Sequence, residues 1–191
     1  MEKLIPFTVN DLAKVTNHRS GEIKFGEKMI VIPKEADKIK FMTECEAKYV
    51  LLGIPEDIGV RANYGRPGTA SAWENAIKSI ANIQHNRFSK GSQIIVLGQI
   101  NVAQEMRDVE NLDFNDIDDR SKLSQLVEKI DKEVSHIIFS IIKAGKTPII
   151  IGGGHNNAYG NIKGSALAKG KPIKAINFDA HSDFRILEGR H

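Results

Sequence analysis

The sequence has a single cysteine, Cys45, among its 191 residues. An internal disulfide is therefore excluded, and so is a zinc site built on paired cysteines. No apolar run approaches the roughly 18 residues that a membrane-spanning helix needs, and residues 1–6 contain no hydrophobic signal core. We therefore expect a cytoplasmic protein with no membrane partner, in which any metal site uses histidine and carboxylate side chains.

Neither sign of charge dominates the chain. Its 27 basic and 24 acidic residues give a net charge of +3, and both signs are interspersed. A nucleic-acid partner gains no support, because no long basic block is present. The hydrophobic fraction of 41% and the charged fraction of 27% are ordinary for a globular protein. We expect residues 1–191 to form a single folded domain.

Short runs rich in β-branched residues, each continuously apolar at its centre, predict buried strands. They cover residues 49–54, 93–97, 147–151 and 173–178. Apolar residues at helical spacing predict helices over residues 69–83 and 121–144. Ser121 is the expected N-cap of the longer helix, and Gly145 is its expected stop. This alternation favours an α/β fold, with a mostly parallel sheet between layers of helices.

The remaining segments carry weaker patterns. A short helix is predicted over residues 9–15, and residues 22–33 are consistent with a hairpin. The acidic residues 106–120 include few large apolar side chains, which indicates a connecting loop.

The predicted strand 173–178 runs directly into an Asp-Ala-His-Ser-Asp segment. In extended chain, Asp179, His181 and Asp183 project to one side, at the sheet edge where α/β proteins place ligand sites. Carboxylate and neutral imidazole suit Mn²⁺, Zn²⁺ or Fe²⁺. Taken alone, the triplet is equally consistent with a strand-to-loop turn that the two aspartates close and in which the histidine is solvated.

A run of glycines follows the predicted strand 147–151. Gly152, Gly153 and Gly154 let the backbone turn tightly and approach a bound ion, and His155 comes directly after them. A lone histidine after a glycine turn is more often structural or simply exposed. The interpretation of His155 as a metal ligand therefore depends on the Asp-Ala-His-Ser-Asp segment.

Together, the glycine turn with His155 and the Asp-Ala-His-Ser-Asp segment 24 residues later resemble two signatures of the arginase, agmatinase and formimidoylglutamase superfamily. Residues 51–60 and the loop 61–68 resemble that family's first strand and substrate-side loop. The segment 152–160 is most similar to the formimidoylglutamase branch. In that branch glycine often stands at the position of Gly154, where arginases have aspartate. The resemblance implies a three-layer α/β/α fold.

The resemblance also implies a hydrolase with two manganese ions. By it, His155 and Asp183 bind one ion, His181 binds the other, and Asp179 bridges both. A hydroxide held between the ions would attack the carbon of a small amidine or guanidine substrate. His191 resembles a family histidine that shuttles a proton or contacts the substrate. As the last residue of the sequence, it is equally consistent with a frayed end.

The substrate-side loop contains two candidate binding residues, Asn63 and Arg66. Arg66 would pair bidentately with an acidic substrate such as formimidoylglutamate. The same residues are equally consistent with a solvated surface loop.

The family's third signature, a Ser-x-Asp-x-Asp segment on a later strand, is absent from the sequence. The residues present would offer four ligands to a site that needs about six. We therefore expect the N-terminal part of an arginase-like domain, truncated so that the C-terminal strands are missing and inactive by itself. The alternative is a non-catalytic fragment that binds one metal or none. An exposed sheet edge would favour a homo-oligomer.

Overall fold

The computed structural model describes residues 1–181, so Asp183 and His191 lie outside the described residues. The strands are β1 (Leu4–Pro6), β2 (Ile30–Val31), β3 (Tyr49–Ile54), β4 (Ile94–Ile100) and β5 (Thr147–Gly152). The α-helices are α1 (Val9–Val15), α2 (Lys38–Glu44), α3 (Ile58–Ala62), α4 (Ala72–Ala81), α5 (Ala103–Asp108), α6 (Ile117–Lys143) and α7 (Asn157–Lys169). Short 3₁₀ helices cover Phe25–Glu27, Thr69–Ser71 and Gly91–Gln93.

The strands form one mostly parallel sheet in the order β1-β4-β3-β5. β3 pairs in parallel with β4 on one side and with β5 on the other. The other edge of β4 receives β2 in parallel and β1 antiparallel. Within residues 1–181, β5 pairs with no strand other than β3. The predicted α/β class with a mostly parallel sheet is confirmed.

Side chains that alternate along β3 enter two separate cores, which makes the fold three-layered. Val50, Leu52 and Ile54 pack in the core that contains the apolar face of α6. Leu51 points the other way and packs with Trp73 of α4. Because both faces of β3 are covered, its residues from Val50 to Ile54 are all buried, as a central parallel strand requires.

The long helix α6 begins earlier than its apolar stripe predicts. Asp116 is its N-cap, because the Asp116 carboxylate accepts hydrogen bonds from the amides of Asp118 and Asp119. The prediction of Ser121 as N-cap was therefore wrong, since the first turn of α6 is largely acidic and its one apolar residue, Ile117, is exposed and adds nothing to the apolar stripe. Gly145 follows the last turn with φ of 76°, so the predicted stop is confirmed. No helix within residues 1–181 is long and apolar enough to cross a membrane.

Several weaker predictions meet a mixed outcome. The helix α1 has the predicted bounds, and a capping box on Thr8 and Asp11 fixes its start. The hairpin over residues 22–33 is wrong, because this segment forms a 3₁₀ helix followed by β2, which pairs with β4. The loop 106–120 is shorter than predicted, since the end of α5 and the start of α6 lie within it.

The fourth predicted strand, residues 173–178, does not form. The segment has no regular structure, and Ile176 and Phe178 are 83% and 95% exposed. A buried parallel strand needs a neighbouring strand for its backbone groups and helices over both faces. Residues 173–178 have neither in the described part of the chain, so their apolar character alone does not make them a strand.

Glycines bring α7 into close contact with α6. A Cβ atom on Gly164 would lie 2.5 Å from the carbonyl oxygen of Ser135, and one on Gly160 would lie 2.8 Å from the Cβ atom of Val134. The contact positions increase together along both helices, so α6 and α7 run parallel. Parallel neighbours of this kind pack side by side on the same face of a parallel sheet.

The carboxyl group of Asp131 is buried on α6 near this contact. Asp131 is 7% exposed, and its Oδ1 atom has no hydrogen-bond partner among the described residues. Burial raises the pKa of Asp131 to about 7, the negative charge of Glu56 contributes to the rise, and Lys163 partly offsets both effects. At neutral pH the folded chain therefore holds a proton on Asp131 in a large fraction of molecules.

Asp131 should make the folded chain less stable as the pH rises. In the unfolded chain the carboxyl has the ordinary aspartate pKa of 3.8, whereas in the folded chain its pKa is about 7. The contribution of Asp131 to the free energy of unfolding is thus complete below pH 3.8 and decreases as the pH rises to about 7. We expect Asp131→Asn to remove this slope and to raise the free energy of unfolding at pH 8 by on the order of 2 kcal/mol.

Urea unfolding at several pH values between 4 and 8 measures this slope. The matched control is Glu46→Gln, which changes an exposed carboxylate and should leave the slope as in the parent chain. An unchanged slope in Asp131→Asn would contradict the assignment.

Candidate metal centre

The turns that follow β3 and β5 leave the sheet side by side. Ile54 and Gly152 are paired at the ends of the two strands, and the amide of Gly153 donates a hydrogen bond to the carbonyl oxygen of Ile54 at 3.2 Å. The turn after β3 contains Glu56 and Asp57, and the turn after β5 contains His155. Both therefore lie at the carboxyl edge of the sheet, where α/β folds place their sites.

The glycines after β5 are required by contacts with protein atoms. A Cβ atom on Gly153 would overlap the carbonyl oxygen of Glu56. A Cβ atom on Gly154 would overlap the side-chain amide of Asn156 and lie 3.1 Å from Oε1 of Glu56. The sequence suggested that these glycines make room for an ion. In the described residues they make room for the neighbouring turn.

The structure brings together three of the four predicted ligands. Nδ1 of His155 lies 3.3 Å from Oδ2 of Asp179. Oδ1 of Asp179 accepts a hydrogen bond from the main-chain amide of His181 at 2.8 Å and lies 3.2 Å from Nδ1 of the same residue. Asp179 thus contacts both imidazoles, one through each carboxylate oxygen. The fourth predicted ligand, Asp183, lies outside the described residues.

The carboxylate of Asp179 is held in its charged form. The hydrogen bond from the His181 amide lowers the pKa of Asp179, and the side chain of His181 and the charge of His155 lower it further. The rings of His155 and His181 are solvent-accessible, with side-chain exposures of 54% and 84%. An ionised carboxylate between two accessible imidazoles is a donor set that Mn²⁺, Zn²⁺ or Fe²⁺ accepts.

These donor atoms do not form a closed metal site in the described part of the chain. Between Met1 and His181, no group of three or more His, Cys, Asp or Glu side chains could hold a metal ion. The Nδ1 atoms of His155 and His181 each contact a carboxylate oxygen of Asp179. The types of donor fit a divalent metal, whereas their arrangement in residues 1–181 is incomplete.

Two buried carboxylates beside this cluster were missed by the sequence analysis. Glu56 and Asp57 are 0% and 1% exposed. Asp57 accepts hydrogen bonds from Nε of Arg61 and from the amide of Gly68, both at 2.7 Å, so it joins the two ends of the loop 61–68. A signal was present, because both acidic residues come within three residues of the end of a buried strand, and Asp179 was singled out for its place after a predicted strand.

The candidate substrate residues lie on this anchored loop. Asn63 caps the C-terminal end of α3, and both Asn63 and Arg66 are exposed. Between them, Tyr64 has φ of 57°, and its ring is covered by the guanidinium of Arg120 at 4.5 Å. The loop passes close to the glycine turn, since the Thr69 carbonyl oxygen lies 3.1 Å from a Cβ atom placed on Gly153. The role of Asn63 and Arg66 in binding a substrate stays a prediction.

Comparison with known proteins matches most of the chain. The sequence profile of the arginase family matches residues 47–190. The chain is 33% identical over 151 residues to a formimidoylglutamase of Geobacillus sp. (strain WCH70), a match that covers 78% of this chain and 40% of the relative. It is 31% identical over 140 residues to a formimidoylglutamase of Chromobacterium violaceum, which covers 71% of this chain and 37% of the relative. The chain thus spans about two fifths of the length of these curated relatives.

The contacts of the glycine turn predict a large loss of stability for one substitution and a small loss for the substitution next to it. In Gly153→Ala, the new methyl group meets a backbone oxygen that cannot move without shifting β3. We expect a loss of roughly 2–4 kcal/mol in the free energy of unfolding. In Gly152→Ala, the nearest atom is Nδ2 of the Asn157 side chain at 3.3 Å. The loss there should stay below about 1 kcal/mol.

Urea denaturation of both variants tests this pair, with Gly152→Ala as the matched control. Equal losses in the two variants would show that the contact between Gly153 and Glu56 is not what constrains the turn.

Proposed function

The chain belongs to the arginase family, and from that premise we propose that it is the N-terminal part of a manganese-dependent ureohydrolase of the formimidoylglutamase type. Such an enzyme hydrolyses a linear, non-peptide carbon–nitrogen bond in a small amidine or guanidine. Support comes from the family match over residues 47–190 and from relatives named formimidoylglutamase. Further support comes from the contacts of Asp179 with His155 and with His181.

The single observation that carries the proposal is the contact of Asp179 with two imidazoles. An ionised carboxylate offers two oxygens and can therefore bridge a pair of cations. We propose His155, Asp179, His181 and Asp183 as the metal ligands from this part of the protein. When bound, two divalent ions supply an activated water molecule and stabilise the negative charge that develops during hydrolysis.

The chain's other residues would bind and orient the substrate. We propose that Arg66 pairs with a carboxylate of the substrate through both of its terminal nitrogens and that Asn63 hydrogen-bonds beside it. The anchoring of their loop by Asp57 supports this role, because a loop with fixed ends holds a charged group at a defined place. His191 remains a proposed proton shuttle or substrate contact, on the family resemblance alone.

We further propose that residues 1–191 form a single domain that has no measurable hydrolase activity by itself. The chain supplies four proposed ligands, whereas a pair of ions needs about six. The incomplete donor arrangement within residues 1–181 favours the second candidate function, a non-catalytic fragment that binds one metal or none. Manganese that is retained through these ligands would support the first candidate, and a chain that retains no metal would support the second.

Metal retention should depend on the proposed ligands. After incubation with Mn²⁺ and desalting, we expect the parent chain to keep manganese and the double variant Asp179→Ala, His181→Ala to lose it. Elemental analysis measures the ratio of manganese to protein. His136→Ala is the matched control, because His136 is an exposed histidine on α6 and its loss should change nothing. Equal retention in parent and double variant would exclude these residues as ligands.

The activity of the chain is tested on formimidoylglutamate with added Mn²⁺. We expect no release of glutamate by residues 1–191 under conditions in which the full-length Geobacillus relative serves as the positive control. Release of glutamate by the chain itself would refute the proposal that it is inactive alone.

A further inference from the structure

Glu56 is a buried carboxylate whose hydrogen-bond partners in the described part of the chain are uncharged. It is 0% exposed, and among residues 1–181 no Lys, Arg or His forms an ion pair with it. Its Oε2 atom accepts a hydrogen bond from the amide of Ile58 at 2.7 Å, and its Oε1 atom accepts one from Nδ2 of Asn157 at 2.6 Å. A buried carboxyl group needs hydrogen-bond donors in place of water, and here Ile58 and Asn157 supply them.

Asn157 transmits the position of Glu56 to the turn that carries His155. Besides Glu56, the Nδ2 group of Asn157 also donates to the carbonyl oxygen of Gly154 at 2.9 Å. The main-chain amide of Asn157 donates to the same oxygen at 3.3 Å. Two hydrogen bonds from Asn157 to the carbonyl oxygen of Gly154 therefore close the turn from Gly154 to Asn157. His155 is the second residue of that turn.

The contact between Glu56 and this turn involves main chain as well as side chain. The carbonyl oxygen of Glu56 fills the space beside Gly153, and Oε1 lies 3.1 Å from a Cβ atom placed on Gly154. One residue of the β3 turn thus packs along the glycine run of the β5 turn. A shift of the Glu56 side chain would change the direction in which His155 leaves the sheet.

We propose that Glu56, acting through Asn157, is a positioning residue that fixes His155 in the direction needed for metal binding. The inference rests on the proposed function, which makes His155 a ligand. Two N–H donors, on Ile58 and Asn157, reach the two different side-chain oxygens of Glu56. A carboxylate accepts at both ends, whereas the isosteric amide of glutamine accepts at one end and donates at the other.

The isosteric variant Glu56→Gln keeps the shape of the side chain and replaces one of its two hydrogen-bond acceptors by a donor. A glutamine that accepts from Ile58 places its own NH₂ group against Nδ2 of Asn157, so two donors face each other. Rotation of the Asn157 amide would relieve that conflict, but it would then point Oδ1 at the Gly154 carbonyl oxygen. In the first arrangement the turn loses its hydrogen bond to residue 56, and in the second Asn157 loses its side-chain hydrogen bond to the Gly154 carbonyl oxygen.

The test compares Glu56→Gln with Glu105→Gln in the 191-residue chain. Glu105 is also a buried carboxylate, 6% exposed, but it pairs with Lys3 on the far side of β3 from β5. Mn²⁺ binding is measured by electron paramagnetic resonance, and the imidazole of His155 is observed by ¹⁵N-¹H correlation spectra in metal-free protein. Thermal unfolding of both variants measures their general loss of stability.

We expect Glu56→Gln to weaken Mn²⁺ binding at least about tenfold and to shift or broaden the His155 imidazole signals. Glu105→Gln should lower the unfolding temperature by a similar amount and change neither readout. Parent-like Mn²⁺ affinity and His155 signals in Glu56→Gln would overturn the inference. If Glu56→Gln does not fold, Asn157→Ala, which leaves the carboxylate in place, takes its part in the same measurements.

Failure of the proposed function gives a different result. If the parent chain binds no Mn²⁺, His155 is not a ligand in this chain, and the imidazole spectra alone decide whether Glu56 fixes its direction. Unchanged spectra in Glu56→Gln would then reject the positioning role as well.

Discussion

The hydrogen bonds accepted by the buried carboxylate of Glu56 are the constraint on which the candidate centre depends. They join the start of α3 to the turn after β5, two segments that are about a hundred residues apart in sequence. The next residue, Asp57, does the same for the loop 61–68. Two consecutive carboxylates at the end of β3 thus hold the candidate ligand His155 and the candidate substrate loop beside one another. The parallel pairing of β3 with β5 makes this possible, because it places both strand ends at one edge.

Much of the scaffold could be predicted because its signals are local. The strands β3 and β5 follow continuous apolar runs, and α1 follows a short helical pattern with a capping box at its start. The three-layer arrangement follows from strands that are apolar on both faces. The start of α6 escaped prediction, since its first turn is stabilised by Asp116 and by acidic residues near the positive end of the helix dipole, and it adds no apolar side chain to the core.

The site was predictable only in part, since its remaining determinants are non-local. Asp179 and His181 could be singled out from their spacing, and the structure places them with His155. The strand that should have preceded Asp179 requires neighbours on both sides of it, and apolar residues cannot supply these. Nor could the sequence show that Glu56 bonds to Asn157, because nothing in either local pattern points to the other. Such partners become visible only when the sheet is assembled.

The packing of Gly154 against Asn156 has a consequence for how this site can change over time. The side-chain amide of Asn156 occupies the volume that the first side-chain atom of residue 154 would need. Arginases, by the resemblance described above, have aspartate at this position. A residue with a Cβ atom fits at position 154 only if Asn156 is first replaced by a smaller residue or its side chain adopts another rotamer. Substitutions at the two positions should therefore be correlated among related sequences. In this chain, the side chain of Asn156 requires glycine at position 154.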